Sequence, residues 1–140
     1  MQIDIDPLSE VPLYQQLRDR IVEAIAEGSI APGDALASVR QVAVSFGINL
    51  ATVAKGYELL RREGLIRTNR RSGSVIARGP GTGEPAPEFV SEWQSRARTL
   101  LAEAVAQGIP DAEIVSRVRA ILTDFGRPSD ITASTQGKIS

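Results

Sequence analysis

Residues 38–63, SVRQVAVSFGINLATVAKGYELLRRE, constrain the fold of this chain more than any other stretch. Ser38 followed three residues later by Gln41 is a capping-box signature for the start of a helix. Gly47 suits the left-handed residue that ends that helix, and Asn49 is a strong N-cap for a second, longer helix. Two helices joined by so short a turn, the second of them basic, predict a helix-turn-helix that binds DNA.

Apolar residues predict which face of each helix is buried. The apolar face of the first helix consists of Val39, Val42, Ala43 and Phe46. The stripe of the second, at spacings of three and four, consists of Val53, Gly56 or Tyr57, and Leu60. Because a glycine inside a helix costs about 1 kcal/mol relative to alanine, Gly56 indicates a close approach of another helix; the alternative is a neutral surface glycine.

A third amphipathic helix precedes this pair. It is predicted from apolar residues that recur every four positions, Leu13, Leu17, Ile21 and Ile25. Ser9 or Glu10 would lead into it, with Pro12 near the first turn, where a missing N–H costs nothing. Gly28 would end it.

The segments on either side of this helix are less regular. Ile3 and Ile5 alternate with aspartates, which suits a short edge strand or an extended arm. After the helix, a Pro-Gly turn at 32–33 lies between Ile30 and Leu36. These two residues are expected to pack inward and would suit a small strand.

Residues 65–77, LIRTNRRSGSVIA, have the pattern of a β-hairpin: two β-prone runs surround a polar tip that contains Gly73. Arg67, Arg70 and Arg71 crowd that tip. A two-stranded ribbon directly after a helix-turn-helix is the wing of a winged helix. Residues 1–78 are therefore predicted to form a winged helix-turn-helix domain, in a fold that is mainly α with a small β-hairpin.

The rest of the chain reads as a linker, two helices and a tail. Residues 79–88, GPGTGEPAPE, are rich in Pro and Gly and predict a linker. Apolar residues at helical spacing predict two helices within 89–125. Two such helices cannot bury both stripes alone, so they need the winged domain or a second chain. Residues 126–140 are polar and are predicted to be disordered.

Charge is distributed unevenly along the chain. The net charge is −1, which taken alone argues against nucleic acid. Residues 40–78, however, hold eight of the sixteen basic residues and only two of the seventeen acidic ones. The basic residues are Arg40, Lys55, Arg61, Arg62, Arg67, Arg70, Arg71 and Arg78. A basic segment that coincides with a helix-turn-helix favours DNA over an ordinary solvated surface.

Composition argues against several classes of protein. The chain has no Cys and no His, which excludes a disulfide framework and a Cys-based metal site and makes most hydrolase mechanisms improbable. We therefore predict no enzyme and no cofactor. No apolar run approaches membrane-spanning length, and the acidic N-terminus is unlike a signal peptide. These features predict a cytoplasmic protein with no membrane partner.

Several of the stretches described above resemble the GntR family of bacterial transcription regulators. The matching pieces are PLYQQL (12–17), the G-x-I-x-P-G-D-x-L run (28–36), SVRQVAVSFGI (38–48), TVAKGYELL (52–60), EGLI (63–66) and the wing glycine, Gly73. They stand in family order and at family spacing over more than half of the chain. The short two-helix C-terminus resembles the YtrA-like subfamily.

The resemblance implies a homodimer that binds an inverted-repeat operator, usually as a repressor. It implies DNA contacts from the start of the helix that follows Ser38, from the first turn of the helix that follows Asn49, which is the recognition helix, and from the wing. The candidate DNA-binding residues are Ser38, Arg40, Asn49, Leu50, Ala51, Thr52, Lys55, Arg70, Arg71, Ser72 and Gly73. It also implies that the C-terminal helices hold the dimer together. The candidate dimerisation residues are Phe89, Trp93, Leu100, Leu101, Val105, Ile114, Val118, Ile121, Leu122 and Phe125.

The chain departs from the family pattern at three places. Ala37 stands where the family usually has Pro, and Arg71 stands where the wing usually has its first glycine. The recognition helix opens Asn-Leu-Ala-Thr, whereas relatives often open Ser-Arg-x-Thr or Asn-Pro-Asn-Thr. An apolar Leu50 cannot make the bidentate guanine contact of an arginine; it could touch a thymine methyl or pack on sugar.

Several residues have a structural alternative to a functional role. Asn49 is at least as well explained by N-capping as by base contact, and Thr52 by a bond within its own turn. Arg61 and Arg62 are expected to be a solvated helix face, and Trp93 is expected to be packing and not part of a small-molecule crevice. A small-molecule effector stays an open question. The alternative function is a winged helix used only for protein–protein interaction, which has no need of the basic cluster.

Overall fold

The computed structural model describes residues 3–126, which form five helices and one two-stranded antiparallel sheet. In chain order the elements are α1 Leu13–Glu27, α2 Val39–Phe46, α3 Leu50–Arg62, β1 Ile66–Asn69, β2 Gly73–Ile76, α4 Pro87–Ala106 and α5 Asp111–Asp124. The chain divides into two compact units, with the boundary between Thr82 and Gly83. The fold is mainly α with a small hairpin: a winged helix-turn-helix followed by two helices, as the sequence predicts.

The core of the N-terminal unit lies where α1 and α3 cross. Leu17, Val53 and Leu60 are completely buried there. At Gly56, a Cβ atom would lie 3.0 Å from the carbonyl oxygen of Tyr14 and 3.2 Å from a methyl group of Leu17. The prediction of close helix approach at Gly56 is confirmed, because a larger side chain would meet the backbone of α1.

The helix-turn-helix has the boundaries that its end residues predict. The capping box at the start of α2 is complete: the Gln41 N–H donates to Ser38 Oγ at 3.1 Å, and the Ser38 N–H donates to Gln41 Oε1 at 2.8 Å. Gly47 ends α2 with a φ of 64°. That backbone conformation favours glycine, so this residue permits the short turn into α3.

The segment before α1 differs from the expectation. The helix begins at Leu13, with Pro12 as its N-cap, and not directly after Ser9 or Glu10. The reason is Gln16, whose buried amide accepts from the Asp6 N–H at 2.7 Å and donates to the carbonyls of Asp6 and Val11. These bonds hold the preceding residues in a loop. Of the two alternatives for residues 3–6, the strand does not form, while the Ile3 side chain is buried in the core.

The hairpin is the predicted wing. Ile66 pairs with Ile76 at its base and Asn69 pairs with Gly73 at its tip. The small strand expected near Leu36 is reduced to a single bridge between Ala35 and Val75. The Leu36 N–H donates to the Ser74 carbonyl at 2.8 Å, so the chain before α2 supports the outer strand of the wing.

The C-terminal unit consists of α4 and α5, which pack on each other only lightly. Pro87 is at the first position of α4, and Gly108, with a φ of 93°, lies in the turn that follows the helix. Neither helix contains a buried residue. The start of the tail predicted to be disordered, Gly126, is the last described residue; positions 127–140 lie outside the described residues.

Candidate nucleic-acid interface

The first turn of α3 presents a mostly apolar surface. The Asn49 side chain accepts from the Ala51 N–H at 2.7 Å, so the capping role considered for Asn49 is the one that the structure shows. Leu50 is 46% exposed and Ala51 is exposed, whereas Thr52 is half-buried. The first turn of the helix therefore offers the apolar side chains of Leu50 and Ala51 to the surroundings.

Lys55, one turn further along α3, lies against α1. Its Nζ is 4.0 Å from the centre of the Tyr14 ring, a distance at which the ring face attracts a cation. The two residues are 41 positions apart in the sequence, so helical periodicity does not predict their contact. The contact favours a position of the ammonium group at the junction of the two helices.

Arg40 lies in the first turn of α2, and its side chain is exposed. The start of that helix is anchored to α3 because the Tyr57 hydroxyl donates to the Ala37 carbonyl at 2.5 Å. Burial raises the pKa of Tyr57 to about 12, so the hydroxyl stays a donor at neutral pH. The Ser38 hydroxyl accepts from the capping-box N–H, which leaves Arg40 as the charged group of this turn.

The wing tip is shaped by Asn69, which was not among the candidate residues. Asn69 Oδ1 accepts from the N–H of Arg71 at 2.8 Å and more weakly from the N–H of Ser72 at 3.4 Å. An Asn that bonds the backbone two residues ahead is a common turn signal and was available in the sequence. Gly73 has a φ of 73°. Arg71, which stands where the family usually has its first wing glycine, does not have a positive φ, so this position does not require glycine here. Arg70 and Arg71 are both exposed.

Arg61 joins the recognition helix to the wing. Its Nε donates to Thr68 Oγ1 at 3.1 Å, and its Nη1 donates to Glu58 Oε1 at 2.7 Å. The Arg61 side chain is still 37% exposed, so it belongs to a solvated helix face, as expected, and in addition contacts β1. Arg62 is exposed, as expected.

A second ion pair fixes the far end of α3. Arg18 on α1 donates from Nε and Nη2 to the two carboxylate oxygens of Glu63, at 2.9 and 2.6 Å. This hydrogen bonding raises the pKa of the Arg18 guanidinium above its ordinary value. This pair anchors α3 to α1, while the Tyr57 and Arg61 bonds join α3 to the start of α2 and to the wing, the elements that carry the candidate DNA contacts.

The candidate dimerisation residues form exposed apolar faces on α4 and α5. Trp93 is 53% exposed and Leu100 is 65% exposed; Ile114 and Phe125 are half-buried. Trp93, Ala97, Leu101 and Val105 line an open apolar groove along α4. Exposed apolar faces of this kind, on two helices that pack only lightly on each other, are typical of an interaction surface.

Two classes of site find no support in residues 3–126. No group of acidic side chains in this range could hold a metal ion. None of its helices is long and apolar enough to cross a membrane.

Residues 13–76 match the family described as bacterial regulatory proteins, gntR family. The chain is 41% identical over 80 residues to the HTH-type transcriptional repressor YtrA of Bacillus subtilis (strain 168). The aligned residues make up 57% of this chain and 62% of the repressor. The chain thus spans less than two thirds of that relative. It is 30% identical over 96 residues to the HTH-type transcriptional regulator Rv1152 of Mycobacterium tuberculosis, which covers 69% of this chain and 79% of the relative.

Solved structures share the fold. A crystal structure of a transcriptional antiterminator from Listeria monocytogenes EGD-e is similar with a TM-score of 0.81 at 26% identity, over 89% of this chain and 92% of that one. YtrA from Sulfolobus acidocaldarius, a GntR-family transcription factor, is similar with a TM-score of 0.59 at 35% identity, over 74% of this chain and 97% of that one.

Proposed function

This chain belongs to the GntR family of bacterial regulatory proteins, in its YtrA-like subfamily, and from that premise we propose that it is a transcriptional repressor. It binds an inverted-repeat DNA operator as a homodimer. The observation that carries the proposal is the presence of exposed basic side chains on three elements of the winged helix-turn-helix.

The basic side chains suit a DNA backbone. Arg40 is on α2, Lys55 on α3, and Arg70 and Arg71 on the wing tip, in a chain whose net charge is −1. Contacts to phosphate supply most of the affinity of such proteins and position the reading helix. An interaction module that binds only proteins has no need of cations on these elements, so this alternative is less well supported.

A second copy of the chain is the proposed occupant of the α4 and α5 faces. Two lightly packed helices with exposed side chains such as Trp93 and Leu100 are not stable by themselves in water. The Bacillus relative is named a repressor, and homo-oligomers with twofold symmetry are by far the commonest kind. A twofold dimer presents two recognition helices related by the same symmetry, which is the reason to expect an inverted repeat.

The proposal is tested by footprinting on DNA upstream of the operon that encodes the chain, followed by gel shifts over a range of salt concentrations. We expect protection of two related half-sites and an affinity that falls steeply with salt, with a logarithmic slope of about −0.9 for each phosphate contacted. Equal affinity for this DNA and for random DNA would contradict sequence-specific repression.

The variant Arg40→Ala sharpens the same test. Because Arg40 is exposed and the first turn of α2 is held by Ser38 and Gln41, we expect unchanged thermal stability. In a dimer the substitution removes two phosphate contacts, so the salt slope becomes shallower by about 1.8. The matched control is Arg117→Ala on α5, an exposed arginine of the other unit, which should keep the slope of the unmodified protein. A collapse of stability in Arg40→Ala would show that this arginine is structural.

A further inference from the structure

The groups at the start of α3 differ in whether they are free to meet a base pair. Asn49 directs its side-chain oxygen back to the Ala51 N–H at 2.7 Å. The bidentate pairing of an asparagine with adenine needs both the oxygen and the nitrogen of the amide, so the cap leaves Asn49 poorly placed for it. Lys55 has its Nζ over the Tyr14 ring at 4.0 Å, which favours a fixed contact to phosphate over a search along base edges.

Leu50 is the largest free side chain in this turn. It is 46% exposed, whereas Val53, Tyr57 and Leu60 of the same helix are buried in the core. An exposed leucine gains free energy only when another apolar group covers it. In the major groove the apolar group that differs among base pairs is the 5-methyl group of thymine.

We infer that Leu50 is a specificity-determining residue that reads the 5-methyl group of a thymine in the major groove of each operator half-site. The inference rests on the proposed function, because it concerns how that DNA is recognised. According to this inference, the first turn of α3 recognises base pairs mainly by apolar contact. Phosphate contacts from Arg40, Lys55 and the wing then supply affinity without sequence information.

Two other arrangements would leave a different signature. If Leu50 packs on deoxyribose, binding does not depend on the base methyl at all. If the methyl groups of Ala51 or Thr52 read the thymine, binding depends on that methyl but not on the leucine. An experiment must therefore vary the DNA methyl and the protein side chain together.

The DNA probes are duplexes that the full-length protein selects from a random-sequence library in the presence of competitor DNA. Each thymine of a selected duplex is replaced in turn by deoxyuridine, which removes only the 5-methyl group. We expect one thymine in each half-site whose replacement weakens binding about fourfold, the effect of losing one buried methyl. Replacing both should weaken it about sixteenfold, because the half-sites are equivalent.

The protein variants are Leu50→Ala and a matched control, Leu8→Ala. Alanine is the best helix former, so the first variant keeps α3 intact. Leu8 is 93% exposed in the loop before α1 and undergoes the same chemical change away from α3. Leu50→Ala should bind thymine and deoxyuridine duplexes alike within twofold, whereas Leu8→Ala should repeat the profile of the unmodified protein.

A methyl group added to another base gives an independent readout. At the same position, a duplex with 5-methylcytosine should bind more tightly than one with cytosine for the unmodified protein, and equally for Leu50→Ala. If replacing thymine by deoxyuridine never changes the affinity, the inference about Leu50 is wrong while the proposed function stands. If it matters equally in Leu50→Ala, another residue reads the methyl and the inference is overturned. If no duplex is preferred over random DNA, the proposed function fails and the inference fails with it.

Discussion

The two units of this chain use amphipathic helices in opposite ways. In the N-terminal unit, α1 and α3 bury Leu17 and Leu60 completely and expose charge. In the C-terminal unit, α4 and α5 leave Leu100 65% exposed and Trp93 53% exposed. The same kind of periodicity thus produces a closed core in one unit and an uncovered face in the other.

The difference teaches what decides whether an amphipathic helix completes a core. The winged unit has three helices and a hairpin, so every stripe meets another within the chain, down to the contact at Gly56. A pair of helices alone cannot surround either of its apolar stripes. We therefore expect the N-terminal unit to have a stability of its own and the C-terminal unit to depend on a second copy.

The largest expected effect is on the closed core. Leu60→Ala should lower the free energy of unfolding of the N-terminal unit by about 2–5 kcal/mol, because the leucine is fully buried and leaves a cavity. Amide hydrogen exchange in α1 and α3 measures this change. Leu100→Ala on α4 is the matched control and should leave exchange in α1 and α3 unchanged.

The single tryptophan makes the same experiment report on the other unit. Trp93 lies in α4, so its fluorescence follows the C-terminal helices during unfolding in urea. Its midpoint should rise with protein concentration if a second copy covers these helices. A urea midpoint that does not depend on protein concentration would contradict the expected role of a second copy. If Leu60→Ala lowered the stability reported by Trp93 as much as the stability reported by exchange in α1, the two units would not differ as we expect.

The next effect concerns assembly and DNA together. Leu100→Glu places a charge on the exposed apolar face of α4 and should convert the dimer to a monomer in light scattering. Operator affinity should then fall by a factor of about 10²–10⁴, because the two reading units are no longer linked.

Ser91→Glu introduces the same charge on α4, at an exposed position nine residues from Leu100 and therefore on the opposite side of the helix, away from the apolar groove and from the hollow beside Leu100. It should remain a dimer with nearly unchanged affinity for the operator. A dimeric Leu100→Glu variant would show that another surface joins the two copies.

Local signals made much of the fold predictable from the sequence. Ser38 with Gln41, Gly47 and Gly56 each act on neighbours or on one helix face, and the structure places each where its chemistry suggests. Contacts between distant side chains were not predictable in this way. Arg18 and Glu63 are 45 residues apart, and periodicity indicates that a face is charged without indicating which charge it meets. The apolar faces of α4 and α5 were predictable from their periodicity, but periodicity does not specify what covers them, and a second copy is our proposal.

The smallest expected effect comes from a substitution in the N-terminal unit that should weaken DNA binding without changing the stability of the C-terminal unit. Tyr14→Leu removes the ring that lies 4.0 Å from the Lys55 ammonium, an interaction worth about 0.5–1 kcal/mol at an exposed site. Because the ring holds Lys55 in place for phosphate, operator and random DNA should both bind more weakly, by about two- to fivefold for each subunit and so by about 5–30-fold for the dimer. In a Lys55→Ala background the same change should have no effect, since the coupled partner is already absent. Tighter binding by Tyr14→Leu would mean that the ring competes with DNA for the lysine, and a shift in the Trp93 midpoint would mean that the two units are coupled after all.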